Sequence, residues 1–345
     1  MKAVIFRAHG GPEVLEYADV PTPTPGPGEV LVRVKACSLN HLDLWIRQGI
    51  PAYQLTLPHI AGCDVAGLVE QVGSGVTNVN VGHAVFIAPG LSCFQCAWCK
   101  AGHDNLCQSY GIFGARTDGG YAEFAKARAG DLIPIPAGVS FEEAAAFPLV
   151  FLTAWHMLMT RAQLQSGETV LVHAAGSGIG HAAVQIAKHI GATVYATVGS
   201  EAKVPKAKAL GADAVINYRR EDFVARIQEL TGTQGVDVVF EHIGPVTWES
   251  SIRVLKKAGR LVTCGATSGP SVPLDLRYVF SRQLSILGSM MGTRAELLTL
   301  TELIGNRSLK PVVDTVYPLR DARQAQERMR TRDVFGKFLL APGAA

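Results

Sequence analysis

From about residue 165 onward the chain alternates apolar runs with helical stretches, and that rhythm leaves few folds open. The runs TVLVHAA (169–175), ATVYATV (192–198), DAVINY (213–218), VDVVFE (236–241), RLVTCG (260–265) and LSILGS (284–289) are rich in β-branched residues. Helical stretches such as Gly180–His189 separate them. A strand that is apolar at every position is buried on both faces, which requires helices above and below it and hence a doubly wound parallel sheet. Six such strands predict one α/β nucleotide-binding domain.

Between the first two runs lies Ala174-Ala-Gly176-Ser-Gly178-Ile-Gly180-His-Ala-Ala183. It follows a strand and opens a helix, the context that a dinucleotide fingerprint requires. The glycines let the backbone turn tightly against a pyrophosphate whose charge sits at the helix N-terminus. A site for NAD usually ends the second strand in an acid that binds the ribose 2′-hydroxyl. This one ends Thr197-Val-Gly199-Ser200 with Lys203 three residues on, and Glu201 falls in the following turn. Serine and lysine without the acid suit a 2′-phosphate, so NADP(H) is expected over NAD(H).

The first ~125 residues read as short alternating strands (Val30–Ala36, Gly67–Val72, Ala84–Ile87) between Gly/Pro turns, a β-rich, partly open barrel. Pro134 and Pro136 mark a boundary, and Ser140 with Glu143 forms a capping box that opens a helix. Within the barrel, Cys93, Cys96, Cys99 and Cys107 follow C-x2-C-x2-C-x7-C, enough thiolate to close a tetrahedral shell around one Zn²⁺. No position would remain open for water, so this zinc is expected to be structural. A pair of disulfides is the weaker reading. The last ~50 residues hold neither another βαβ unit nor a barrel, and are expected to return to the first domain.

Apolar content of 48%, 18% charged residues and a net charge of +3 over 345 residues describe an ordinary globular protein without a basic stripe. Nucleic acid is therefore not an expected partner. The N-terminus does not read as a signal peptide, and the longest apolar run, Phe147–Met159, is too short to span a bilayer. Cysteines at metal spacing suit a reducing compartment, so a cytoplasmic location is expected.

Together the lobe, the fingerprint, Leu57-Pro-His-Ile-Ala-Gly62-Cys63-Asp64-Val-Ala-Gly67 and Ala207-Lys-Ala-Leu-Gly211-Ala-Asp213 resemble the medium-chain dehydrogenase/reductase superfamily over essentially the whole chain. The resemblance implies a GroES-like catalytic domain over 1–150 with its zinc lobe at 89–108. A Rossmann domain over 151–291 and a return to the catalytic domain over 292–345 complete the expected layout. Zinc-dependent alcohol dehydrogenases of this superfamily bind a second, catalytic zinc through Cys-x-x-Asp, Gly-His-Glu and a third ligand beyond the interdomain region. This chain has Asn40-His-Leu-Asp43, Gly62-Cys63-Asp64 and Pro148-Leu-Val-Phe-Leu-Thr153 at those places. The pattern looks instead like the zinc-independent quinone reductase branch, which reduces quinones and α,β-unsaturated carbonyls with NADPH.

By that resemblance Asn40 would sit beside the nicotinamide as a donor to the substrate oxygen, Asp43 would order the local turn, and Thr153, starting the interdomain helix, would contact the nicotinamide. Gly176, Ser177, Gly178 and Ile179 would hold the pyrophosphate, and Ser200, Lys203 and Tyr218 the 2′-phosphate. Gly244, Cys264, Gly265, Ala266 and Lys337 would line the cofactor site. The loops Trp45–Leu57 and Tyr110–Gly120 would shape the substrate pocket. Cys37, His41, His59, Cys63 and Asp64 could form an unorthodox second zinc site, while His9, His103 and His242 read as surface or loop residues without partners. The leading function is NADPH-dependent reduction of activated carbonyls on a small-molecule substrate. A zinc-dependent alcohol dehydrogenase with altered ligands and a non-catalytic NADPH-binding protein are the alternatives. The bare apolar run Gln283–Gly288 is expected to form a sheet edge and to pair two copies into a homodimer or a homotetramer.

Overall fold

The computed structural model describes residues 1–50 and 53–343, so Pro51 and Ala52, in the first expected pocket loop, lie outside the described residues. The chain divides into two compact units, Met1–Leu149 with the stretch from Thr293 onward, and Val150–Gly292.

In the first unit a seven-stranded sheet runs Leu132–Pro134, Ala84–Ile87, Asp64–Val72, Glu29–Ser38, Lys337–Ala341, Val313–Pro318, with Phe124–Arg128 also paired to Glu29–Ser38. Val30, Val32, Val34, Val65, Val85 and Phe86 of this sheet are fully buried or nearly so. The antiparallel register Leu339↔Ser38 ties the C-terminal strand to the long central one. Carried two residues further, that register sets Lys337 opposite Asn40. On the other side of the central strand Ser38 pairs with Asp64. Three segments remote in sequence thus converge at one end of the sheet.

In the second unit the strands are numbered here in chain order: β1 (Thr169–Val172), β2 (Thr193–Val198), β3 (Ala214–Asn217), β4 (Val236–Glu241), β5 (Leu255–Thr263) and β6 (Ser285–Gly288). All neighbours are parallel and the order is β3-β2-β1-β4-β5-β6. The order reverses between β1 and β4, which makes that crevice the topological switch point of the sheet, the place where sheets of this kind bind their ligands. Leu171, Ile216, Val239, Leu261, Ile227 and Ile252 pack one buried cluster. The first strand stops at Val172, short of the expected 175, because Ala174 turns to φ +50°. Thr153 stands near the end of the helix Pro148–Trp155 and not at its start, and a π-helical turn, His156–Arg161, follows it. Among the described residues no helix is long and apolar enough to cross a membrane.

Candidate active site

At the strand ends of the first unit a buried polar cluster forms around Asn40. Lys337 Nζ donates to Asn40 Oδ1 at 2.6 Å and lies 3.5 Å from Asp64 Oδ2. Asn40 Nδ2 donates to Asp64 Oδ2 at 2.8 Å and to Cys63 Sγ at 3.2 Å. Asp64 further accepts from Ser38 Oγ at 3.1 Å and from the Leu149 N–H at 2.9 Å. Asp64 is 0% exposed and Lys337 3%, so the two charges face each other without water. Both amide hydrogens of Asn40, which is expected to donate to a substrate oxygen, have acceptors within this cluster. Lys337, expected to meet the cofactor, has its ammonium bound to Asn40 and beside Asp64.

Asn40 also caps the helix His41–Gln48, with Asp43 at the third helical position in a capping box. The Asp43 carboxylate accepts from Asn40 N at 2.7 Å, Tyr121 Oη at 3.0 Å and Gly62 N at 3.2 Å. Burial outweighs these donors and pushes its pKa up to about 6. Burial first, then the nearby carboxylates of Asp64 and Asp43, pushes the Cys63 thiol well up. Cys37 is raised in the same way by burial.

The four lobe cysteines converge. Their sulfurs all lie within 4.8 Å of one another, and among the described residues they are the one group of three or more His, Cys, Asp and Glu able to share a metal ion. Cys37, His41, His59, Cys63 and Asp64 do not assemble such a group. His59 instead bonds the Gly114 carbonyl at 3.0 Å through Nε2. The closest lobe sulfur contacts are 3.5 Å and all seven cysteines are free, so the disulfide reading is corrected. Backbone N–H groups of Gln95 and Cys96 point at Cys93 Sγ, and that of Cys93 at Cys107 Sγ, the polar support that thiolate ligands require. Asp104 fastens the lobe, its carboxylate accepting from the Arg294 N–H at 3.1 and 3.2 Å, at the start of the helix Arg294–Gly305.

In the second unit the cradle has the shape a pyrophosphate needs. Ser177 caps the helix Gly178–His189 by accepting from Gly180 N at 2.9 Å. A Cβ on Gly180 would meet the Ala174 carbonyl at 2.2 Å, so helix and turn approach as only glycine allows. Gly176, Gly178 and Ile179 flank that cap at the helix start. At the end of β2, Gly199 lies against the Tyr218 hydroxyl, which a Cβ would meet at 2.5 Å. Ser200 and Lys203 follow it, and Tyr218 itself stands exposed one residue beyond β3. Of the acids nearby, Glu201 accepts from Asn217 Nδ2 at 2.5 Å and lies 3.6 Å from Arg220, and Glu221 accepts from Asn217 N at 3.2 Å. Gly244, at φ +95°, opens the helix Pro245–Arg253 after β4, and Cys264, Gly265 and Ala266 follow β5. Burial, then Glu241, pushes the Cys264 thiol up to about 12, which leaves it unreactive.

His242 is corrected from a loop residue without partners. It is buried, and its Nε2 bonds the His173 carbonyl at 3.0 Å. His173, Thr197, Glu241 and Ser251, none of them singled out in the sequence, form a buried polar network with it. Polar residues at the C-terminal ends of β-branched runs (Val172-His173, Phe240-Glu241-His242) were the available signal.

Residues 26–137 match the model of the alcohol dehydrogenase GroES-like domain, and residues 178–306 that of the zinc-binding dehydrogenase. The chain is 34% identical to a quinone oxidoreductase of Salmonella typhimurium, with 98% of each chain covered. It is 33% identical to an alcohol dehydrogenase of Geobacillus stearothermophilus, with 99% of each covered. The crystal structure of an NAD-dependent alcohol dehydrogenase superposes with a TM-score of 0.96 at 48% identity, over 99% of this chain and 100% of that one. With the Rossmann-type sheet, the GroES-like unit and these relatives, the chain belongs to the medium-chain dehydrogenase/reductase superfamily. It is an NAD(P)-dependent oxidoreductase.

Proposed function

We propose that this enzyme delivers a hydride from NADPH to quinones or to α,β-unsaturated ketones and aldehydes, without a catalytic metal. The observation that carries the reading is the Lys337 ammonium, 2.6 Å from Asn40 and 3.5 Å from Asp64 at the positions that hold zinc in the alcohol dehydrogenases. A catalytic zinc takes three anionic or imidazole ligands and one open position. Here an amide stands for the first ligand, the Cys63 sulfur already accepts from that amide, and the carboxylate is already satisfied by a cation. That donor set does not fit zinc. An ordinary ketone then lacks a Lewis acid for its developing oxyanion, whereas a quinone or enone spreads that charge by delocalisation.

NADPH supplies the hydride when bound. The chain's own groups would hold the pyrophosphate at the Ser177-capped helix end and the 2′-phosphate among Ser200, Lys203 and Tyr218. The Glu201 carboxylate accepts from Asn217 and lies beside Arg220. The lobe cysteines fit one structural Zn²⁺ by donor chemistry and spacing, and such a site suits a reducing, cytoplasmic setting.

The second reading, alcohol oxidation with NAD, draws on the relatives named alcohol dehydrogenase. Steady-state rates with NADPH and NADH against a quinone, an enone and a simple alcohol separate the two. Alcohol turnover with NAD that chelation abolishes would overturn the first.

We further propose a homodimer formed across the edge strand β6. It lies at the free edge of its sheet, and Leu276 and Phe280 just before it in sequence are 65% and 69% exposed. Sedimentation at twice the 36.7 kDa chain mass is expected. A monomer at micromolar concentration refutes it.

A further inference from the structure

A continuous line of hydrogen bonds crosses the ends of β2, β1 and β4, beneath the switch point. Burial pushes His173 down to about 4, so it is a neutral imidazole with one donor and one acceptor nitrogen. The Ala174 N–H donates to Thr197 Oγ1 at 3.0 Å, and Thr197 Oγ1 lies 3.3 Å from His173 Nδ1. His173 Nε2 lies 2.9 Å from Ser251 Oγ, which donates to Glu241 Oε2 at 2.9 Å. Because Ser251 Oγ gives its only proton to Glu241, it must accept from His173, so Nε2 carries the imidazole proton. Nδ1 is then the acceptor and takes the Thr197 hydroxyl proton. Each donor finds one acceptor, and the direction of the line is fixed. Thr197, His173, Ser251 and Glu241 are each at most 1% exposed.

Glu241 ends this line and holds the loop beyond it. Its Oε1 accepts from the N–H groups of Ile243 at 2.5 Å and Gly244 at 3.1 Å, and Thr247 Oγ1 donates to Oε2 at 2.8 Å. The same loop is stitched to the turn after β5. The His242 carbonyl accepts from Thr267 Oγ1 and the Ile243 carbonyl from Ser268 N and Oγ, each at 2.7 Å. A carboxylate with four donors and no ammonium or guanidinium is stabilised by fixed dipoles, and it rigidifies the turn that they belong to.

We propose that Glu241 is a positioning residue for the cofactor: through the Ile243–Gly244 turn it sets the half of the crevice that receives the nicotinamide nucleoside. The inference rests on the dinucleotide reading above. The adenosine half lies over β1 to β3, on the far side of the switch point from Gly244. Loss of Glu241 should therefore weaken the whole dinucleotide while sparing a ligand that fills the adenosine half alone.

Titration calorimetry with NADPH and with 2′,5′-ADP tests this. In Glu241→Gln, NADPH should bind about tenfold or more weakly, the scale of one lost charge-assisted bond, with 2′,5′-ADP within about twofold of the parent. Ser251→Ala should move the same ratio less, and both variants should keep a cooperative melt. Equal losses for both ligands, or no loss for NADPH, overturn the proposal. Should Glu241→Gln fail to fold, Ser251→Ala and Thr247→Val decide by the same ratio. If the parent binds 2′,5′-ADP no better than 5′-AMP, the NADP reading fails by itself, and the same comparison is made with NADH and 5′-AMP.

Discussion

The ammonium of Lys337 fixes which way round the Asn40 amide stands. A lysine can only donate, so the amide oxygen faces it at 2.6 Å and the NH₂ is left to Asp64 and Cys63. Replacing it by an apolar side chain strands the buried Asp64 carboxylate. Lys337→Met is expected to lose about 3–5 kcal/mol in a denaturant titration. A loss under about 1 kcal/mol would mean that water reaches Asp64 and that the pair is not sealed.

Metal content separates the lobe from the Asn40 cluster. The parent should carry one zinc per chain, Cys63→Ser should retain it, and Cys96→Ser should lose it and melt at lower temperature. Two zincs per chain, one of them missing from Cys63→Ser, would restore a catalytic metal.

Asp43 makes stability depend on pH. Its carboxyl titrates from the ordinary 3.8 in the unfolded chain but at about 6 in the folded one. The folded state therefore binds the proton more tightly, and this favourable contribution is complete below pH ~4 and lost as the pH rises through ~6. The difference amounts to about 3 kcal/mol. Parent stability relative to Asp43→Asn should accordingly rise between pH ~7 and ~4 in parallel denaturant titrations, and a constant difference would refute the burial of an ionisable Asp43.

Lys203 supplies the charge next to Ser200. Lys203→Ala should cut kcat/KM for NADPH about tenfold, the scale of one charge-assisted hydrogen bond, and leave NADH unchanged. A variant with the same NADPH-to-NADH ratio as the parent would move 2′-phosphate recognition to other residues.

Much of this was legible in the sequence where local pattern alone decides the outcome. The run Val236–Glu241 is a strand to the residue, the glycines from Gly176 to Gly180 turn the chain into a helix as their pattern announced, and four cysteines at fixed spacing converge. What stayed hidden depends on pairing between remote segments. Nothing local says that residue 337 stands opposite residue 40, because antiparallel register is set by the whole sheet. Lys337 could be named from its motif, but not its partner. The His173–Glu241 line was missed for a related reason: each residue looks like a polar strand end, and only the parallel order β2-β1-β4 lays those ends side by side.

The bond from Asp104 to Arg294 spans 190 residues, and chain synthesis runs in one direction. The cysteines leave the ribosome and can capture their ion while much of the molecule is still unmade. The segment beginning at Arg294 emerges late, and it finds its carboxylate waiting on a knot tied long before. Starving a cell of that ion during translation should thus harm the last-made part of the barrel as well as the first.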